Sequence, residues 1–184
     1  MDAQDHSPLR AERLGVDFYR RDVLDVAPAL LGKVLCRQLG TEIHRGRITE
    51  VEAYRGEEDT ACHARAGKTR RTITLYLPGG HTYVYLCYGI HHLLNIVTGA
   101  QEQPQAALIR GLAGLPGPGR LTKALGITTD DNALDLVTSP HLWLEDAHFI
   151  PKHIQTSPRI GIGYASEDDQ RRLWRFTDCR DIPT

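Results

Sequence analysis

Residues 47–54 alternate with a period of two. Ile48, Glu50, Glu52 and Tyr54 fall on one side of an extended chain, and Arg47, Thr49, Val51 and Ala53 on the other. The pattern predicts a long strand, entered from a strand over 33–39 through a turn at Gly40 and Thr41. Before it, Asp25 as cap, Pro28 in the first turn and Gly32 at the end predict a short helix. After it, Glu57, Glu58 and Asp59 offer an acidic start to a brief helix ending near His63. A basic loop follows over 67–72, and Pro78, Gly79 and Gly80 make a turn.

Residues 81–88 are rich in aromatic and branched side chains, and 92–98 return after Gly89 and Ile90, which predicts a hairpin. Tyr83 and Tyr85 share a face, whereas Tyr88 has the other parity and stands at the turn. There it either packs back on the sheet or enters a partner. Further strands are predicted over 106–112, 142–144, 159–163 and 173–177, with a rigid loop over 115–119 and a short helix over 120–125. The elements add up to a single α+β domain over 17–184, a curved, mostly antiparallel sheet with short flanking helices and a projecting hairpin, preceded by a flexible tail over 1–16.

Composition narrows the class. With 184 residues, 41% hydrophobic and 24% charged, the chain can bury a core without metal or disulfide staples. No apolar run approaches the length of a membrane span, and the polar, acid-bearing start carries no targeting signal, so a cytoplasmic protein of bacterial-type cytosol or nucleoid is expected. The four cysteines form no CxxC pair, and the adjacent His91 and His92 point to opposite faces of a strand; no metal site is expected.

Charge distribution changes the picture more than net charge, which is only -1. Residues 60–128 carry seven bases (Arg65, Lys68, Arg70, Arg71, Arg110, Arg120, Lys123) against Glu102, a net of +6, while the flanks are acidic. Five of the seven tyrosines lie between 54 and 88. Bases interleaved with rings suit a surface that tracks phosphates and stacks nucleobases, the alternative being a chance run of charge. Glu52 beside Tyr54 can be a salt-bridged strand residue, or a carboxylate acting next to a stacked flat ligand. Arg110, the lone charge in an apolar run, calls for a carboxylate mate.

A set of fragments in fixed order then stands out: 30–33 (Leu30, Leu31, Gly32, Lys33), 50–54 (Glu50, Val51, Glu52, Ala53, Tyr54), 59–63, Tyr83 to Tyr85 with Tyr88 and Gly89, Asn95 with Ile96, 108–110, 117–121 and 158–161. In this order and spacing the chain, from about 24 to 176, resembles the DNA-3-methyladenine glycosylases of the alkyladenine type, a family whose vertebrate members remove alkylated and deaminated purines. The resemblance implies that Glu52 is the general base for a water attacking the glycosidic carbon and that Arg110 helps place the water. It implies that Tyr54 stacks on one face of a flipped base, that His63 and Tyr85 close the other, and that Asn95 crowds the site of guanine's exocyclic amine. Tyr88 matches the wedge that fills the hole left in the duplex. With Tyr83, Gly89, Ile90, Arg70, Arg71, Arg120 and Lys123 it makes up the expected DNA-binding set.

The sequence departs from the family where Thr72, Leu75 and Tyr76 stand for the usual Asn, Met and Phe, and where 178–181 replace a Gly-containing final strand. The function expected is that of a monomeric, monofunctional glycosylase acting on damaged purines in double-stranded DNA and leaving an abasic site. No cofactor is needed, because water is the nucleophile. A non-catalytic nucleic-acid-binding module and a hydrolase of free nucleosides are the competing readings.

Overall fold

A computed structural model describes residues 11–179. The chain runs through β1 (Glu12–Arg13), α1 (Val16–Tyr19), α2 (Val23–Leu30), β2 (Val34–Leu39) and β3 (Glu42–Arg55), then 3-10 turns at His63–Ala66 and Ile73–Tyr76. The hairpin β4 (Thr82–Cys87) and β5 (His91–Val97) leads to β6 (Gln105–Leu112), β7 (Leu115–Pro116) and α3 (Pro118–Ala124). After a 3-10 turn at Thr129–Asp131 come β8 (Leu142–Asp146), β9 (Ile154–Ser157), α4 (Glu167–Arg171) and β10 (Arg175–Asp178). The result is one α+β domain, its sheet ordered β1-β8-β2-β3-β6-β5-β4 and antiparallel throughout. Of the expected tail, residues 1–10 lie outside the described residues, and Glu12 and Arg13 pair with Asp146 and Glu145 of β8.

β3 is the spine. Its first half pairs with β2, from Glu42 against Leu39 to Arg47 against Val34. Its second half lies between two partners: β6, with Glu52 opposite Leu108, and β10, with Glu52 opposite Arg175. A strand enclosed on both edges holds its backbone groups in ladders, so side chains on this stretch are fixed in direction.

Strict alternation fails in the middle of β3. The register against β6 shifts between Ile48 and Val51. Thr49 and Glu50 crowd the one residue Gly111, where an added Cβ would lie 3.2 Å from Thr49 Oγ1 and 3.4 Å from Glu50 Cβ. Thr49 is an extra residue on β3, a β-bulge that reverses the parity of the strand, and Arg110 is the extra residue on β6 just beyond Gly111, which brings the register back by Val51. Ile48 therefore joins Val51 and Ala53 in the main core instead of sharing a face with Glu52 and Tyr54. The bulge lets one strand supply the core on both sides of the break and still present Glu50, Glu52 and Tyr54 to the opposite face.

That core lies between the sheet and α2, whose Val23, Val26, Ala27 and Leu30 are fully buried. The helix starts three residues earlier than the sequence suggests. Asp22 is the cap, accepting from the Leu24 amide at 2.9 Å, which turns Val23 inward and leaves Asp25 in the first turn and Pro28 inside the helix. The brief helix expected to end at His63 begins there instead, because Asp59 is spent on a turn, its Oδ1 accepting from the Ala61 amide. Residues 159–163 form no strand: Gly161 has a φ of +77°, a left-handed conformation that interrupts a ladder. β9 and α4 carried no pattern strong enough to be predicted. In the departing C-terminal stretch Asp178 ends β10, and 180 and 181 lie outside the described residues.

Candidate active site

The bulge, the β3–β6 register and the irregular segment 158–165 together bury one carboxylate beneath a cleft. Glu52 is fully buried. Its Oε1 accepts from the Ile160 amide at 2.7 Å, and its Oε2 accepts from the Tyr54 hydroxyl at 2.8 Å and, more weakly, from Arg110 Nη1 at 3.4 Å. Arg110 is shared: its Nε donates to Glu50 Oε1 at 3.1 Å, and Arg175 Nη1 donates to the same oxygen at 2.9 Å. Burial pushes the Glu52 carboxyl above the usual carboxylate range, while Arg110, the Ile160 amide and the Tyr54 hydroxyl pull it back. A carboxylate poised in this way is a competent proton acceptor held in the dry base of a site.

Tyr54 is locked from behind. The Arg159 guanidinium lies 4.8 Å from its ring centroid and 5.0 Å from that of Trp174, a cation between two rings. Arg159 is itself buried, with a two-pronged pair to Asp59 at 2.6 and 2.8 Å. Desolvation and the neighbouring Glu52 push the Tyr54 phenol far up, so its hydroxyl stays a donor.

Across the cleft stands an aromatic group. The His63 and Tyr85 rings meet edge to face at 4.5 Å, and His63 Nδ1 lies 3.0 Å from the Tyr83 hydroxyl. Burial, reinforced by the Arg71 cation, lowers the His63 imidazole to about 4, so the ring is neutral at ordinary pH. Tyr83 is placed inside this wall, only 3% exposed, and not on the outer surface as a DNA contact. Asn95 is buried beneath it and donates from Nδ2 to the Tyr83 carbonyl at 3.1 Å. Behind the rings a small chamber of about 40 Å³ reaches Asn95 and Leu75, and it shares Tyr54, His63, Tyr85 and Tyr164 with an outer cleft of about 740 Å³ that Tyr88 and Arg110 also border. Cys62 borders both, its thiol pushed up to about 12 by burial and therefore inert as a nucleophile.

Of the loop departures from the family, Leu75 and Tyr76 fall on the back wall and Thr72 borders the outer cleft. Leu75 and Tyr76 pack with Cys62 and Tyr83, and the Thr72 hydroxyl donates to the Gly67 carbonyl at 2.7 Å, which closes the basic loop. The outer rim is quite different. Tyr88 is 90% exposed with a φ of +51°, and Gly89 follows at +70°, so the hairpin tip turns in left-handed backbone and thrusts a bare phenol outward. Ile90 is exposed beside it, Arg70 and Arg71 lie on the exposed basic loop, and Arg120 and Lys123 are exposed on α3. Lys68 instead pairs with Glu102 at 2.6 Å.

The structure thus brings Tyr54, His63, Tyr85 and Arg110 around one cleft, with Glu52 buried beneath it against Arg110, Asn95 in the chamber behind and Tyr88 on the rim. Sequence reasoning gave Glu50, Asp59, Ile160, Arg159 and Tyr164 no part in the site. Arg159 carried a usable signal, a lone cation in an apolar, Gly-rich run like that around Arg110.

Comparison with known proteins finds relatives over most of the chain. The chain is 45% identical over 170 residues to a Wolbachia pipientis (subsp. Culex pipiens, strain wPip) protein named "Putative 3-methyladenine DNA glycosylase", covering 89% of this chain and 88% of that protein. Proteins of the same name from Borreliella afzelii (42% over 171 residues, 86% of this chain and 92% of the relative) and Methanocella arvoryzae (43% over 184 residues, 88% and 90%) are similarly close. A model of the methylpurine-DNA glycosylase family matches residues 17–115 and 113–181, which is nearly the whole domain. The chain belongs to the methylpurine-DNA glycosylase family.

Proposed function

We propose that the protein is a monofunctional DNA glycosylase that takes alkylated or deaminated purines out of duplex DNA and hydrolyses the N-glycosidic bond, leaving an abasic site. The observation that carries this reading is the buried Glu52 carboxylate, hydrogen-bonded to the hydroxyl of a tyrosine whose ring borders an aromatic cleft. A base inside a duplex is out of reach, and rotating it out costs a few kcal/mol, least for a damaged pair. Stacking on aromatic rings returns about 1–3 kcal/mol per base, and Tyr54 opposite His63 and Tyr85 offers such a slot. The 40 Å³ chamber is too small for a purine, so the base occupies the cleft beside the rings that line both cavities.

The chemistry follows from charge. The purine leaves with the electron pair of the C1′–N bond, a cationic alkylpurine as the neutral base and a deaminated purine with a proton taken up from solvent; the sugar becomes oxocarbenium-like, and water forms the new C1′–O bond while giving its proton to Glu52. Water reaches Oε2 as the Tyr54 hydroxyl gives up its place there, and Arg110, on the cleft wall, orients it. The protein acts as a monomer, in the cytosol or nucleoid where its substrate lies.

The test is single-turnover base release from duplexes carrying 3-methyladenine, 7-methylguanine, hypoxanthine or ethenoadenine, with Glu52→Gln alongside. The variant is expected to bind the lesion duplex yet release base at least about a hundredfold more slowly. Near-normal release by the variant rejects the mechanism, and no release by the parent from any lesion favours a binding module.

A further inference from the structure

We infer that Arg159 is the positioning residue of this site, fixing the Glu52–Tyr54 pair from behind through one clamp on β3. The inference rests on the glycosylase reading of those two residues. Arg159 touches neither the cleft nor Glu52 directly. Its Nη1 donates to the carbonyl of Ala53 at 2.9 Å, and Ala53 is the residue between Glu52 and Tyr54. The same nitrogen pairs with Asp59 Oδ2, and Nη2 pairs with Asp59 Oδ1. The guanidinium plane backs the Tyr54 ring, and the next residue along the chain, Ile160, places its amide on Glu52 Oε1. One side chain thus sets the backbone between the two functional residues, the height of the ring and the anchor of the carboxylate.

Asp59 completes the clamp from the other side, since its Oδ2 also accepts from the Arg55 amide at 3.1 Å, one residue beyond Tyr54. A flexible monodentate lysine could not hold these points together, whereas the planar fork of an arginine matches a carboxylate and stacks on a ring at the same time. The position of Ile160 also explains why 158–165 is irregular: a ladder would consume the amide that Glu52 needs.

A buried ion pair could do no more than tie 158–165 to the sheet, and electrostatics separates the two roles. Glu52 is faced by Glu50 and Tyr54 from its own strand, by Arg110 from β6, and by Arg159 with the Ile160 amide from 158–165. Asp59 stands behind Arg159, and Arg175 acts by way of Glu50. Removing the Arg159 cation makes Glu52 harder to ionise, and removing the Asp59 charge does the reverse.

The experiment measures single-turnover base release from a hypoxanthine or ethenoadenine duplex against pH, with duplex binding and thermal melts alongside. Arg159→Met is expected to move the acid limb of the rate to higher pH, and Asp59→Asn to lower pH. Arg159→Lys keeps the charge and so the limb, but loses the fork, slowing release on the order of tenfold or more while lesion binding stays within about twofold. Should Arg159→Met fail to fold, Arg159→Lys and Asp59→Asn decide alone. Folded variants with parental rates and limbs overturn the inference, as do Met and Asn variants whose limbs move the same way. A parent that releases base, with Glu52 required, and clamp variants that change nothing would reject Arg159 alone. A parent that releases none rejects the glycosylase reading, and this inference with it.

Discussion

The floor of the cleft and its rim are built on opposite principles. On the floor Glu52 has no exposed surface, and both of its oxygens, the Tyr54 ring and the Arg159 fork are held by fixed partners. On the rim, at the tip of the β4–β5 hairpin, Tyr88 is 90% exposed on left-handed backbone. The floor spends folding energy in advance, so that under the proposed mechanism little besides the Tyr54 hydroxyl has to move when charge develops on a sugar. The rim exposes apolar surface that a folded monomer gains little from, which suits its proposed role of meeting DNA. Substitutions on the floor should change rates, and substitutions on the rim should change binding.

The largest effect that sharpens this contrast belongs to Arg110. Arg110→Gln removes a cation that helps hold Glu52 ionised and leaves the carboxylate with the Tyr54 hydroxyl and Ile160 amide. Base release is expected to fall by roughly tenfold to a hundredfold. The carboxylate form is the active one, and burial already raises its proton affinity, so the parent rate should fall with acid at a pH above the ordinary glutamate value. In the variant that limb should lie higher still. A pH profile of single-turnover release measures both, and a limb that stays put would remove Arg110 from the electrostatics of Glu52.

Tyr88→Ala tests the other side. Loss of one stacked ring is expected to weaken binding of a lesion duplex by about tenfold, in line with about 1–3 kcal/mol per stacked base, and binding of plain duplex by much less. Melting temperature should not fall, because so exposed a ring buries little on folding. Equal losses on both duplexes in a titration would show that Tyr88 contributes only general contact.

How much of this contrast could be read in the chain follows from the physics of each element. The hairpin was legible, since aromatic and branched residues flank a turn, and parity alone set Tyr88 apart from Tyr83 and Tyr85. Arg110 was legible because a cation in an apolar run must be paired. The face of β3 was legible from Glu50 to Tyr54 but not at Ile48, because a bulge erases parity without leaving a pattern in its own strand; the mark lies on the neighbouring strand, at Gly111, where a Cβ would crowd both Thr49 and Glu50. The clamp was missed because Arg159 sits among glycines that looked like strand and whose backbone turns out to bend away. His63 was placed, but at the start of its 3-10 turn and not at the end.

A smaller effect is expected on the rim's charge. Arg70 and Arg71 lie on the exposed loop beside the cleft, and Arg71 approaches the Tyr85 ring at 5.7 Å. Each lost phosphate contact reduces the log–log salt slope of duplex binding by about 0.9. Replacing both residues by Ala should therefore flatten the slope by between roughly one and two. Binding isotherms on undamaged duplex at several salt concentrations give the number, and an unchanged slope would put the phosphate track elsewhere.

The smallest effect is also the one that most clearly separates a floor organised for chemistry from a floor organised for stability. Burial holds the proton affinity of Glu52 in the folded state above its unfolded value. The folded protein then binds more protons than the unfolded one between the ordinary carboxylate range and the raised value, so stability falls as pH rises through that window. Above the window the folded protein carries a charged group in a place that disfavours charge. Glu52→Gln removes the penalty while its side-chain oxygen still accepts from the Ile160 amide, its NH2 can donate to the Tyr54 hydroxyl, and Arg110 keeps Glu50. The variant should accordingly melt at or above the parent temperature at neutral pH, and the difference should shrink toward zero as pH drops below the ordinary carboxylate range. Thermal melts of both proteins across that span measure it. A variant that melts clearly below the parent at neutral pH would mean that the charged pair with Arg110 outweighs desolvation, and that Glu52 is held ionised as part of the fold and not at its expense.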